Sequence, residues 1–253
     1  MEHITSRKNK WVVHLRSLGS DGAYRREQGE YLCEGEKLLK EALAFGAEIR
    51  CVMWCGEPSI PVPAAEQFSA PAELLDYVSP LKSTRGPLYS IRMPMESGGT
   101  IRRAIVLEDV QDPGNVGTVI RTASAFDVDA VLLVGDCADP YNFKTVRSTM
   151  GALFRQRILS VKREELLPLL RENGLRLYGA ALTDSAADIR KTDLCHAAVA
   201  IGSEGHGLSP EMLAMCDGQI IIPMMPHSES LNAAVAASVV MWEMNGGMLP
   251  CPC

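Results

Sequence analysis

Short apolar runs alternating with stretches of helical periodicity are the feature that most restricts what this chain can fold into. Ala104-Ile105-Val106-Leu107 and Val131-Leu132-Leu133-Val134 are apolar without interruption, the pattern of strands covered on both faces. Further strands are predicted at Arg157 to Val161, Leu175 to Ala181, Ala197 to Ile201 and Gln219 to Ile222. Between them the pattern predicts helices from the Asp112-Pro113-Gly114-Asn115 turn to about Phe126, and over 142–150, 163–173, 209–214 and 230–245. Apolar strands separated by helices specify an α/β domain with a mostly parallel sheet covered on both sides.

This regular region begins near residue 100, where MPMESGGTIRR joins Pro94, Gly98 and Gly99 to polar neighbours, the composition of a turn or linker. The chain is accordingly divided into residues 1–97 and 98–253. In the first part Tyr31-Leu32-Cys33-Glu34 reads as a strand. Gly35 follows, then a helix with Leu38, Leu39, Ala42 and Leu43 at helical spacing. Ile49 to Trp54 and Leu88 to Met93 read as further strands, and the Pro-rich stretch GEPSIPVPAAE as a surface loop. This is a small α/β domain.

Composition excludes several function classes. No stretch approaches the roughly 20 apolar residues of a membrane helix, and the N-terminus MEHITSRKNKW lacks the apolar core of a signal peptide. A cytoplasmic location without a membrane partner is expected. The eight cysteines are scattered and none forms a CxxC pair, so they read as reduced thiols and no metal is expected. The closest spacings are Cys51 with Cys55 and Cys251 with Cys253. A net charge of −6 argues against gripping nucleic acid by bulk electrostatics. Its distribution is uneven: residues 1–26 carry Arg7, Lys8, Lys10, Arg16, Arg25 and Arg26 against Glu2 and Asp21. Such a basic N-terminal arm suits local contact with RNA, or is simply a solvated helix face.

Ligands of parallel sheets bind beyond the carboxyl ends of the strands, so the strand-to-helix turns carry the candidates. The first, EDVQDPGNVGTVIRTASAF, holds Asn115, Gly117 and Arg121. Six residues of helix turn through about 600°, or roughly 240° beyond a full turn. Asn115 and Arg121 therefore share a site only if Asn115 sits in the turn itself; the plain alternative is a cap and a surface charge. The second, Gly202-Ser203-Glu204-Gly205-His206-Gly207, follows the strand at Ala197 to Ile201. Its glycines let backbone approach a ligand, and Glu204 is an isolated acid among them. The loop lacks the GxGxxG and GxxxxGK[ST] patterns of dinucleotide and triphosphate sites. In the third, a strand ends at Ile222-Pro223-Met224 and Ser230-Leu231-Asn232 opens an Ala/Val-rich helix, which by itself is an ordinary N-cap.

Together, N-x-G-x-x-x-R-x-A-x-A-F over Asn115 to Phe126, G-S-E-G-x-G-L over Gly202 to Leu208, and I-P-M with S-L-N-x-A-x-A-x-x-V over Ile222 to Val239 closely resemble the three motifs of the SpoU branch of the SPOUT RNA methyltransferases. The segment Asn142 to Ala152 resembles that family's helix leading to a Ser-x-Gly-Ala element. The resemblance covers about residues 102 to 245. More weakly, Tyr31 to Gly35 with the helix ending Lys40-Glu41-Ala42-Leu43, and the later segment Arg85-Gly86-Pro87-Leu88, resemble the family's substrate-binding domain. That domain is similar in fold to a ribosomal protein that binds kinked RNA.

The resemblance implies a deep trefoil knot, S-adenosyl-L-methionine as cofactor, and a homodimer. Carried over residue by residue, Leu182, Gly202, Ile222, Pro223 and Leu231 would hold the cofactor, while Asn115, Arg121, Glu204, Ser230 and Asn232 would be catalytic. Residues 1–97 would bind the RNA substrate and 98–253 would transfer methyl to a ribose 2′-oxygen. Ribosomal RNA is the expected substrate, because tRNA-directed relatives often have only short terminal extensions. A tRNA ribose methyltransferase and a catalytically silent RNA-binding or assembly protein are the alternatives. Asp127 departs from the family, which more often has glycine after the phenylalanine.

Overall fold

The computed structural model describes residues 1–63, 65–81, 83, 84, 86–95, 98–183, 185–225 and 230–246. Linker residues Glu96 and Ser97, Arg85, and the terminal Cys251 and Cys253 lie outside them. The chain forms two compact units, Met1–Met95 with Asp139–Arg155, and Glu96–Ala138 with Gln156–Cys253.

The first unit runs β1 (Glu2–His3), α1 (Lys10–Ser20), α2 (Gly22–Gln28), β2 (Glu30–Glu34), α3 (Glu36–Ala44), β3 (Ile49–Cys55), β4 (Glu66–Ala70), α4 (Ala72–Val78) and β5 (Leu88–Arg92). Its sheet has the order β1-β4-β3-β5-β2, with β4 parallel to β1 and β3, and β5 antiparallel to β2 and β3. The basic N-terminal stretch is therefore not an extended arm. Asn9 caps α1 by accepting from the Trp11 N–H at 2.9 Å, and Val12, Leu15 and Leu18 bury one face of α1 against Leu32, Met53, Phe68 and Leu75.

The second unit opens with β6 (Arg103–Glu108), α5 (Pro113–Ala125) and β7 (Ala130–Val134). Residues 139–155, which the sequence boundary groups with the C-terminal domain, cluster instead with the first unit. There they form α6 (Phe143–Ser148) and a 3-10 turn at Ala152–Phe154. Phe143 enters that unit's core, and the Tyr141 ring lies 5.0 Å from that of Tyr31. Arg25, with its side chain 4% exposed, donates to Asp139 at 2.6 and 3.1 Å and to the Leu18 carbonyl at 2.8 Å. One of the six N-terminal basic residues is thus consumed by the fold.

The remainder of the second unit is β8 (Arg157–Ser160), α7 (Arg163–Glu172), β9 (Arg176–Ala180), β10 (Ala187–Asp188), β11 (Ala197–Ile201), α8 (Pro210–Met215), β12 (Gly218–Ile221) and α9 (Ala233–Met244). Its sheet, β10-β12-β9-β11-β6-β7-β8, is parallel at every pairing. Ala104, Val106, Leu132, Ala198 and Ala200 face Leu166 and Leu170 of α7 and Met212 of α8, while α5 and α9 lie together over β6, β7 and β11. Burial on both faces explains the uninterrupted apolar runs. The helix expected from 230 begins at Ala233, because Asn232 takes the N-cap, accepting from the N–H groups of Ala234 and Val235 at 3.0 and 3.3 Å. Among the described residues no helix is long and apolar enough to cross a membrane.

Asp127 follows the C-cap of α5 at φ 52°, the left-handed conformation that glycine adopts without steric cost. This is the physical content of the departure from the family pattern. Its side chain is 74% exposed and touches Arg103 only at 3.4 Å, a contact worth little. Asp127→Gly is expected to raise the unfolding free energy by about 1 kcal/mol and the melting temperature by roughly 2–4 °C. A lower melting temperature by calorimetry would mean that the Arg103 contact outweighs the strain.

Candidate active site

Strands β12, β9, β11 and β6 are consecutive neighbours and parallel, so the loops that follow them emerge along one edge of the sheet. A cavity of about 370 Å³ opens there. Leu182 reaches it from the loop after β9, Gly202 to Glu204 from the loop after β11, Ile222 from the end of β12, and Ser230 and Leu231 from the approach to α9. Four of the five expected cofactor residues therefore line one space. Pro223 is exposed and does not belong to the lining.

The loop after β11 is folded back on itself. The Gly207 N–H donates to the Ser203 carbonyl at 2.9 Å, and the two residues form an isolated antiparallel bridge. A Cβ on Gly202 would collide with the Gly207 carbonyl and the Leu208 nitrogen, and Gly207 itself lies at φ 67°. Gly202 is required by the close backbone approach and Gly207 by its left-handed φ, whereas a Cβ on Gly205 would meet nothing within 4 Å.

Sequence reasoning missed the anchor of this loop. Glu108, the last residue of β6, is 1% exposed. Its carboxylate accepts from the Ser209 N–H at 2.8 Å and the Ser209 hydroxyl at 2.7 Å, and pairs with Arg163 at 2.7 Å. Arg163 also donates to the Ser209 hydroxyl at 2.7 Å. Ser209 caps α8 through Met212, so the end of the glycine loop is tied to the end of the neighbouring strand. The only signal in the sequence is an acid, Glu108, closing an apolar strand just before Asp109.

Three expected catalytic residues meet at the rim. Asp112, not Asn115, caps α5, accepting from the Asn115 N–H at 2.8 Å, which leaves the Asn115 side chain free for other contacts. Its amide donates to the Glu204 carboxylate, and its carbonyl oxygen accepts from Asn232 Nδ2 at 3.1 Å. Asn232, Asn115 and Glu204 thus form one chain of hydrogen bonds joining the starts of α9 and α5 to the glycine loop, polarised toward the acid. Ser230 is exposed and lines the cavity two residues before Asn232. Arg121 stands apart: it is exposed on α5, outside the cavity lining, and makes no hydrogen bond or ion pair with a described residue. His206 lines the cavity from the glycine loop.

Burial pushes the nearby Cys216 thiol up to about 11. It is therefore protonated at neutral pH, and it donates to the Met212 carbonyl at 3.2 Å. Among the described residues no group of three or more His, Cys, Asp or Glu is placed to hold a metal.

Gly202→Ala is expected to lower the unfolding free energy by about 1–3 kcal/mol, the cost of forcing backbone apart in a packed site. Gly205→Ala, three residues away, is expected to leave it unchanged. Equal effects in denaturant titrations would show that the loop closes without the Gly202 approach.

Known proteins share both the sequence and the shape of this region. The 23S rRNA (guanosine(2553)-2′-O)-methyltransferase RlmP of Bacillus subtilis (strain 168) is 31% identical over 249 residues, spanning 97% of this chain and 100% of its own. A solved RNA 2′-O ribose methyltransferase is 27% identical with a TM-score of 0.78, covering 96% of this chain and 97% of that one. The AdoMet-bound rRNA methyltransferase of Sinorhizobium meliloti shares the fold at 24% identity and a TM-score of 0.85, over 98% of this chain and 99% of its own. The family model described as SpoU rRNA Methylase matches residues 102–242. That span holds the cavity, its folded glycine loop and the hydrogen-bonded rim, and the chain belongs to the SpoU rRNA methylase family.

Proposed function

We propose that the chain transfers a methyl group from S-adenosyl-L-methionine to a ribose 2′-oxygen of RNA, with ribosomal RNA as substrate. The observation that carries this reading is the convergence of Asn115 from the first turn of α5, Glu204 from the loop after β11 and Asn232 from the N-cap of α9 at the rim of one cavity. A merely structural surface has no use for such a chain of amides ending on an acid.

The cavity suits the cofactor. About 370 Å³ falls within the roughly 300–1,000 Å³ of small-molecule sites. Its walls include Leu182, Ile222 and Leu231, and Gly202 presents bare backbone. When bound, S-adenosyl-L-methionine supplies an electrophilic methyl group on a positively charged sulfur. The residues at the rim orient the acceptor. Glu204, held by Asn115, accepts a hydrogen bond from the 2′-hydroxyl and aligns its lone pair, while Ser230 and Asn232 hold the ligands at the mouth. Arginine keeps its proton far above neutral pH, so Arg121 acts as a clamp on the adjacent phosphate and stabilises negative charge developing on the oxygen.

In the same reading residues 1–97, completed by Asp139–Arg155, bind the RNA and the rest of 98–253 carries the chemistry, in the cytoplasm. The chain around β12 forms the trefoil knot, and two copies pair. Support for the knot is that the chain runs from β11, past β9, to β12 and then returns as α9 over β6 and β11. Support for the homodimer is an apolar groove along α5 and α9, lined by Phe126, Val235 and Trp242, with Trp242 51% exposed. Trp242→Lys is expected to sediment as a monomer where the parent sediments as a dimer. Ribosomal RNA is favoured over tRNA by the full-length similarity to a protein named for 23S rRNA.

The decisive experiment incubates purified protein with labelled S-adenosyl-L-methionine and separate pools of unmodified rRNA and tRNA, followed by nucleoside mass spectrometry. A 2′-O-methyl nucleoside from rRNA is expected, with Arg121→Ala lowering kcat/KM by about 10²–10³-fold. Transfer to tRNA alone would overturn the substrate, and absence of cofactor binding would overturn the enzyme. Arg121→Lys is expected to recover little, because a point charge lacks the guanidinium fork.

A further inference from the structure

Acidic residues outnumber basic ones in this chain, 31 to 25, and exposed arginines commonly find carboxylates. Arg50 and Arg92 pair with Glu48, Arg102 with Asp129, and Arg190 with Asp188. The face of the first unit built by the start of α1 and the end of α4 breaks that habit. Arg7 and Arg16 both place their guanidinium carbons over the Tyr77 ring, at 4.4 and 4.0 Å from its centroid. Lys10 lies 5.1 Å over the neighbouring Trp11 ring. Arg7, Lys8, Lys10 and Arg16 are exposed, and none makes an ion pair with a described residue.

The cations are held, not loose. Ser6 accepts from the Lys8 N–H at 3.2 Å, and Asn9 caps α1, so the turn carrying Arg7 and Lys8 is fixed to the helix. Arg16 spends one donor on the Tyr77 carbonyl at the end of α4, which leaves most of its five N–H groups free. An aromatic face attracts each guanidinium, yet two like charges on one ring repel, and no carboxylate of a described residue pairs with either. A bound anion removes that repulsion and finds donors already in place.

We propose that Arg7 and Arg16, seated on Tyr77 and flanked by Lys8 and Lys10, form the surface by which the first unit grips the phosphate backbone of the substrate RNA. This rests on the reading of the protein as an RNA methyltransferase. The contact is sequence-independent, because phosphates carry no base identity. It sets affinity and orientation while leaving base recognition to other residues.

The test measures binding of the full-length protein to an unmodified 23S rRNA transcript between about 50 and 200 mM salt. Arg7→Ala is the principal variant, because the Arg7 side chain makes no hydrogen bond with a described residue. It is expected to weaken binding several-fold and to flatten the plot of log affinity against log salt by about one unit. Tyr77→Leu keeps both charges but removes their seat, and is expected to weaken binding with the slope unchanged. Lys162→Ala, which removes an exposed charge on the second unit, serves as the control with parental affinity and slope. Parental affinity and slope in Arg7→Ala, while the parent still binds and methylates RNA, would overturn this proposal alone. A parent that neither binds nor methylates rRNA or tRNA would overturn the functional reading beneath it as well.

Discussion

Parallel strands all finish at the same edge of a sheet, and the adjacency of β12, β9, β11 and β6 is the constraint on which the site depends. Strand order alone delivers four loops far apart in sequence to one line. What turns proximity into a shaped site is the missing Cβ of Gly202, which lets the loop after β11 close on its own backbone. The buried Glu108 carboxylate then fixes the far end of that loop to the neighbouring strand. A buried acid is tolerable there because two hydrogen bonds and the Arg163 charge compensate its lost hydration.

The strands of the second unit were legible because both their faces are covered, and Ala197–Ile201 is a strand over the residues that read as one. The first unit was legible only in part. Strand β4 is five residues long with Glu66 and Gln67 at its start, and α4 spans only seven residues, so neither sustains a period. Helix α1 buries Val12, Leu15 and Leu18, yet its charges drew attention to its surface instead of its core. At the site, turn chemistry and family resemblance singled out Asn115, Glu204 and Asn232. No local pattern encodes that they bond to one another across 89 and 117 residues of chain. Glu108 stayed invisible for the same reason: its partner Ser209 is 101 residues away.

Charge is distributed by function in this molecule more than its total suggests. A net charge of −6 describes the whole chain, while individual cations differ sharply in what they do. Arg25 and Arg163 are held in buried or half-buried pairs that hold backbone segments together. Arg121, Arg7 and Arg16 are exposed and have no carboxylate partner among the described residues. Counting charges along the sequence cannot separate these groups, because the separation depends on which acid lies within reach after folding.

The inclusion of Asp139–Arg155 in the first unit bears on how the polypeptide becomes structured as it is made. The sheet, α1 and α4 of that unit leave the ribosome well before α6 does, so Phe143 is missing from their core and Arg25 lacks Asp139 during that interval. The first unit is therefore completed only after synthesis has passed Arg155. Modularity at the level of compact units does not extend to the linear order of the gene, and no single cut yields both units whole.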